Sequence, residues 1–248
     1  MLSVAITKKT QIACVWAGVA FFVLTLIGLG LLANYIPPPS PSLSAIEVKA
    51  LFENNLFLLR VGMVLLMFAA AMYLPFTAVT AVTIARVEGG VGVMTITQVL
   101  AGFTNMILFF YPPLWWLTAA FRMDRSPELI LLLNDAAWLQ YMGALAPFLF
   151  IQATLAWAAF VDKRPNPIFP RWFGYLNLWV IVLFLPGQLL FFFHDGPFAW
   201  NGIFGWWIPL FNFFGWCSFL IYFVRRSVLS DSRQAINSGI NPATAVGG

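Results

Sequence analysis

The 248-residue chain is 9% charged and 61% hydrophobic, with a mean hydropathy of +0.87, whereas a soluble domain carries about 25% charged residues. That composition excludes an ordinary soluble fold and leaves a polytopic membrane protein, with length for about six spans and no separate soluble unit. The net charge of +4 does not point to nucleic acid, because the basic residues are spread between apolar runs rather than gathered on a polar surface.

Apolar stretches predict spans near 12–34, 55–84, 91–120, 129–161, 172–193 and 203–224. Helices are expected, because backbone facing lipid must satisfy its own hydrogen bonds and no alternating strand pattern occurs. The expected fold class is therefore all-α, a polytopic six-transmembrane-helix bundle in one domain over 1–226. The first apolar run exceeds a signal-peptide core and no A-x-A-like site follows, so it reads as retained.

The connector "YIPPPSPSLSAIEVKALFENN" opens with prolines that favour an extended, polyproline-like path. It then turns amphipathic. Ser44 and Glu47 stand at capping-box spacing and predict a short interfacial helix before the second span. "RVEGG", "RMDRSPE", "DKRPNPIFPRW" and "HDGPFAWNG" read as the remaining turns and linkers. Residues 227–248 lack apolar periodicity and read as a disordered cytoplasmic tail. With the N-terminus inside, nine basic residues fall on the cytoplasmic side and four outside, so both termini are expected in the cytoplasm. Cys14 and Cys217 sit in apolar runs and read as buried thiols rather than a disulfide. The prolines of the two halves do not match in depth, so no inverted repeat is read.

Within "LLLNDAAWLQY", Asn134 and Asp135 interrupt an apolar span, and Arg60 interrupts the second. Counted from the outer ends, Arg60 and Asp135 lie about 5 and 6 residues in, roughly 8–10 Å deep at 1.5 Å per residue. Equal depth permits an ion pair that offsets most of the insertion penalty. Two other readings stay open: Arg60 reaching outward to headgroups, and Asp135 with Asn134 bonding neighbouring helices. Pro112, Pro113, Pro186 and Pro209 are expected to kink three helices near the same boundary. Trp115, Trp116, Trp138, Tyr141, Trp200, Trp206 and Trp207 lie near that level, as an interfacial belt or as the wall of a pocket.

His194 is the only histidine. With Asp195 it forms a possible pH-sensitive pair, or simply a glycine turn. One histidine does not make a zinc or copper site, so no metal is expected. No G-x-S-x-G elbow, no lysine within a span for a Schiff base and no phosphate loop occur, so neither cofactor nor enzyme activity is expected.

"IPPPSPS", "AFRMDRSPELILLLNDAAW", "PIFPRWFGYLNLW" and "GPFAWNG" together resemble a family of uncharacterised bacterial six-helix integral membrane proteins. The resemblance covers most of the chain. It implies a bacterial inner-membrane setting and attaches no activity.

The functional expectation is binding or translocation of a hydrophobic small molecule through an outward-facing aromatic cavity. Arg60 and Asp135 would set its polarity, with Asn134, Trp138, Tyr141, Trp115, Trp116 and Trp206 around them. The alternative is a non-catalytic accessory subunit of a larger membrane complex. Expected partners are the lipid bilayer, a lipophilic small molecule, and a membrane protein or a second copy of the chain.

Overall fold

A computed structural model describes residues 8–237. Among these residues the regular structure is entirely helical, and six helical stretches are long and apolar enough to cross a membrane: Lys8–Leu32, Leu56–Glu88, Val93–Phe121, Pro127–Val161, Arg171–Phe191 and Ile203–Ser230. The chain is thus a multi-pass helical bundle. Between 28% and 44% of the most apolar window of each span is buried within the bundle. The remainder carries exposed side chains such as Trp16, Phe68, Phe150, Trp179 and Phe211, an apolar girdle that suits lipid contact.

The first span consists of α1 (Lys8–Thr25) continued by a π-helical segment, Leu26–Leu32. There the Ala33 N–H reaches the Gly28 carbonyl, five residues back, at 3.0 Å, the register of a π-helix. The cause lies in a backbone approach. A Cβ added at Gly28 would lie 2.7 Å from the Gly62 carbonyl oxygen of the second span, so only glycine allows the two helices this close.

Helix α2 (Ala45–Asn54) forms as the capping box predicts: Glu47 accepts the Ser44 N–H at 2.8 Å and Ser44 Oγ accepts the Glu47 N–H at 3.4 Å. It buries Val48 and Phe52 and packs chiefly on the fourth span. The second span is α3 (Leu56–Glu88), closed by Gly89 at φ 85°, a left-handed cap that glycine adopts without strain. The third span, α4 (Val93–Phe121), passes through Pro112 and Pro113 without a break. Those prolines do not interrupt the helix as expected.

The fourth span divides into α5 (Pro127–Gly143) and α6 (Ala146–Val161), separated at Ala144 and Leu145. Pro147 in the first turn of α6 lacks an N–H and suits a new helix start rather than the middle of an old one. In the following linker Asp162 accepts from the Arg164 side chain at 2.7 and 2.6 Å and from the Ile168 N–H at 2.9 Å. Burial pushes its carboxyl up, but these bonds outweigh burial and hold it below the usual range. The fifth span is α7 (Arg171–Phe184), tightening into a 3₁₀ segment, Leu185–Phe191, at Pro186. The sixth opens with a π segment, Ile203–Trp207, before α8 (Ile208–Asn237).

Helix α8 corrects one expectation. Residues 227–237 continue the helix where an irregular tail was read; the rest of that tail, 238–248, lies outside the described residues. Cys14 and Cys217 are both free thiols.

Two apolar clusters hold the bundle. One runs through its body around Phe21, Phe76, Phe148, Phe173 and Trp216. The other fills the end that carries α2, around Phe52, Trp116, Trp138 and Trp206.

Candidate functional site

Arg60 and Asp135 do not pair. The Arg60 guanidinium donates instead to the carbonyl oxygens of Ala120 and Phe121, the latter at 3.4 Å, at the end of α4. Those carbonyls have no partner further along the helix, and they carry the negative end of its dipole. Arg125 donates to the Thr118 carbonyl in the same turn, and Lys49 donates to the Arg125 carbonyl at 3.1 Å. Two cations, Arg60 and Arg125, therefore close this helix end, and Lys49 holds the loop that follows it. Asp135 lies on another face: its Oδ1 is shut off from solvent with no hydrogen-bond donor, and its electrostatic neighbour is His194. The two side chains have different partners, so the expected ion pair does not form.

The tryptophans do not form a belt; most of them pack against one another, and of the seven aromatic residues expected near that level only Tyr141 and Trp206 also line a cavity. Trp116, Trp138 and Trp206 are 0%, 0% and 1% exposed. Trp138 is the hub, with ring centroids 4.9 Å from Trp116, 5.3 Å from Tyr35, 5.9 Å from Trp206 and 6.2 Å from Trp200. Most of these pairs are edge-on or tilted, as ring quadrupoles favour. Burial pushes the Tyr35 phenol far above its ordinary range. Asn134 accepts from Trp116 Nε1 at 3.2 Å, Gln140 accepts from Trp115 Nε1 at 2.8 Å, and the Pro39 carbonyl accepts from Trp200 Nε1 at 2.8 Å. The last bond pins the proline stretch to the final loop. Of this group only Trp115 is exposed, while Trp207 is half-buried and stacks on Phe211.

His194 and Asp195 are both exposed in a turn closed by Gly196 at φ 75°. The Ser42 hydroxyl donates to the His194 carbonyl at 3.0 Å. Neither belongs to the lining of the cavity described next.

An open space exists elsewhere, in the middle of the bundle beside the aromatic plug. It encloses about 780 Å³ including its mouth, of which a narrow interior of about 80 Å³ admits a water-sized sphere. We refer to this space as the slot. Of the residues singled out in the sequence Tyr141, Trp206 and Pro209 line it; Arg60, Asn134, Asp135, Trp115, Trp116 and Trp138 do not.

Part of the wall comes from the interruptions of the helices, most of the rest from regular turns of α1, α4, α5, α6 and α8. Leu26 and Leu29 belong to the first π segment, Ala144 and Leu145 to the break in the fourth span, and Trp206 to the second π segment. Phe184 stands at the point where α7 tightens. Four of the six spans therefore depart from α-helical geometry around one space. Irregular backbone within a membrane is tolerated where protein or a cavity surrounds it, and π segments recur at functional sites.

The lining is apolar apart from Thr25, Asn105, Tyr141 and Trp206, and it contains no Asp, Glu, Lys, Arg or His. Three of the four carry buried atoms with no hydrogen-bond partner: Thr25 Oγ1, Asn105 Nδ2 and Trp206 Nε1. The Asn105 amide lies beside the Tyr73 hydroxyl without reaching bonding geometry. A polar group buried without a partner costs about 1–3 kcal/mol, so three at one space call for an explanation.

Sequence reasoning missed Thr25, Asn105 and Leu145. Asn105 carried a usable signal, since "GFTNMILFF" places an amide in an apolar run as "LLLNDAAW" does. Leu145 carried none, because a break of two residues leaves hydropathy unchanged. Comparison of the chain with protein-family models, with curated proteins and with solved structures finds no match, so the reading of this site rests on its geometry alone.

Proposed function

We propose that the protein binds a lipophilic small molecule within the membrane, in the slot framed by its interrupted spans, and moves it along that slot. The observation that carries this reading is the convergence of four helix irregularities on one apolar cavity. Helix breaks leave backbone groups to be satisfied by other means, and their concentration at a single space suits a binding site better than it suits packing. Tyr141 and Trp206 keep the role of aromatic wall. Arg60 and Asp135 have none in it.

We further propose a bacterial inner-membrane location with both termini cytoplasmic and α2 lying along the outer surface. The division of nine basic residues against four supports this orientation, and it makes the aromatic plug the outward closure of the slot.

The test fills the slot. Leu145→Trp places an indole at the break, and Phe68→Trp makes a matched change on the exposed face of α3. Saturable uptake of a radiolabelled long-chain methyl ketone by protein-loaded nanodiscs, in excess of empty discs, is expected to fall to background in Leu145→Trp and to persist in Phe68→Trp. Equal uptake in both variants would contradict the proposal.

A further inference from the structure

The polar atoms of the slot define what its ligand must offer. Trp206 Nε1 is a donor and nothing else, and Asn105 Nδ2 is a donor; only Thr25 can act either way. The three residues are 1%, 3% and 9% exposed, and the named atoms lack partners. Two orphan donors and one hydroxyl thus face a need for acceptors.

Charge is excluded by the same walls. With no Asp, Glu, Lys, Arg or His in the lining, a carboxylate or an ammonium entering the slot would lose its hydration without gaining a counter-charge. A pure hydrocarbon would fit the apolar surface but leave both donors unpaired. A carbonyl oxygen has two lone pairs and brings no donor of its own to satisfy.

Resting on the reading of the slot as a binding site, we propose that its ligand is an uncharged lipophile whose polar end accepts hydrogen bonds, that is, a long-chain ketone, ester or quinone. The carbonyl oxygen takes the N–H of Trp206 or Asn105, and the apolar remainder lies along the phenylalanine-rich wall formed by Phe21, Phe109, Phe148 and Phe213. The same rule rejects fatty carboxylates and alkylamines, the commonest single-chain amphiphiles.

The experiment uses the full chain in nanodiscs with a radiolabelled long-chain methyl ketone as probe. Competitors of matched chain length are the methyl ester, the alkane, the carboxylate and the primary amine. We expect the ester to compete as well as the unlabelled ketone and the alkane about tenfold more weakly, the effect of roughly one hydrogen bond left unmade. Carboxylate and amine are expected to compete more weakly still. Trp206→Phe and Asn105→Leu are each expected to weaken ketone binding about tenfold and to narrow the preference for ketone over alkane by about the same factor, a split that a merely structural role would not produce. An alkane that binds as tightly as the ketone, or a charged competitor that binds more tightly, would overturn the ligand chemistry and leave the slot as a site. If no probe gives saturable binding sensitive to Leu145→Trp, the binding-site reading falls, and this inference with it.

Discussion

Arg60 and Asp135 carry opposite charges at similar counts from the expected span ends, yet each is drawn to other partners, because counting along a helix fixes no angle around it. Counting residues from a membrane boundary gives height along the bundle axis. It gives no direction around the helix, and on α3 the packed line through Leu59, Met63, Leu66 and Ala70 is set by neighbours the sequence does not name. Arg60 adjoins that line where α4 ends, and a guanidinium satisfies terminal carbonyls with several donors at once. Arg60→Ala is therefore expected to lower stability by about 1–3 kcal/mol, read as a fall in thermal midpoint in detergent, whereas Asp135→Asn should change it little. The charge swap of Arg60→Asp with Asp135→Arg should not rescue the first variant. Recovery of the midpoint in the double variant would restore the ion pair rejected above.

At the level of elements, what was legible followed from hydropathy and from capping chemistry. Eleven of the twelve span ends stand within four residues of expectation, because apolar length alone specifies them, while the sixth span runs on past residue 224 to Ser230. Helix α2 was legible from Ser44 and Glu47, whose side chains satisfy the first free N–H groups. The irregular segments were not. Pro186 and Pro209 marked two of them, but Pro112 and Pro113 lie in an unbroken helix. The π segment at Leu26–Leu32 arises from a glycine contact with a distant helix, which no local pattern reveals.

The capping box makes α2 sensitive to acid. The Ser44 side chain and backbone N–H hold the Glu47 carboxyl below its ordinary value of 4.5. A group whose folded pKa is depressed adds stability above its unfolded pKa and loses it as pH falls through the folded one. Amide exchange in α2 is thus expected to accelerate below about pH 4.5 relative to α3, beyond the intrinsic pH effect. In Ser44→Ala the exchange is expected to be fast already at pH 7. Protection in α2 that is indifferent to both changes would show that packing on the fourth span, not the cap, holds it.

Taken as one molecule, the chain has an apolar outer girdle, a solid aromatic plug at the α2 end and a slot behind that plug. The fold class and the span limits were readable from composition and periodicity. The candidate site was readable only in part: the sequence named Tyr141 and Trp206, which line the slot, but it set the polarity on Arg60, which serves a helix end, and on Asp135, which does not line the slot. Thr25 and Asn105 supply it instead, through neutral groups that hydropathy treats as minor blemishes in apolar runs. The plug also accounts for the tryptophans. A fully buried ring such as Trp138 fixes where the third, fourth and sixth spans and the connector after the first span meet.

The most direct measurement is photolabelling in the membrane. A long-chain ketone bearing a terminal diazirine, dissolved in nanodisc lipid with the full chain, would be photolysed and its adducts mapped by peptide mass spectrometry. We expect adducts concentrated on Phe21, Leu145, Phe148 and Phe213 and competed away by excess unlabelled ketone. Adducts spread over the exposed Phe68, Phe150 and Phe211 and unaffected by competitor would mean that the probe meets only the lipid-facing surface, and that the slot holds nothing.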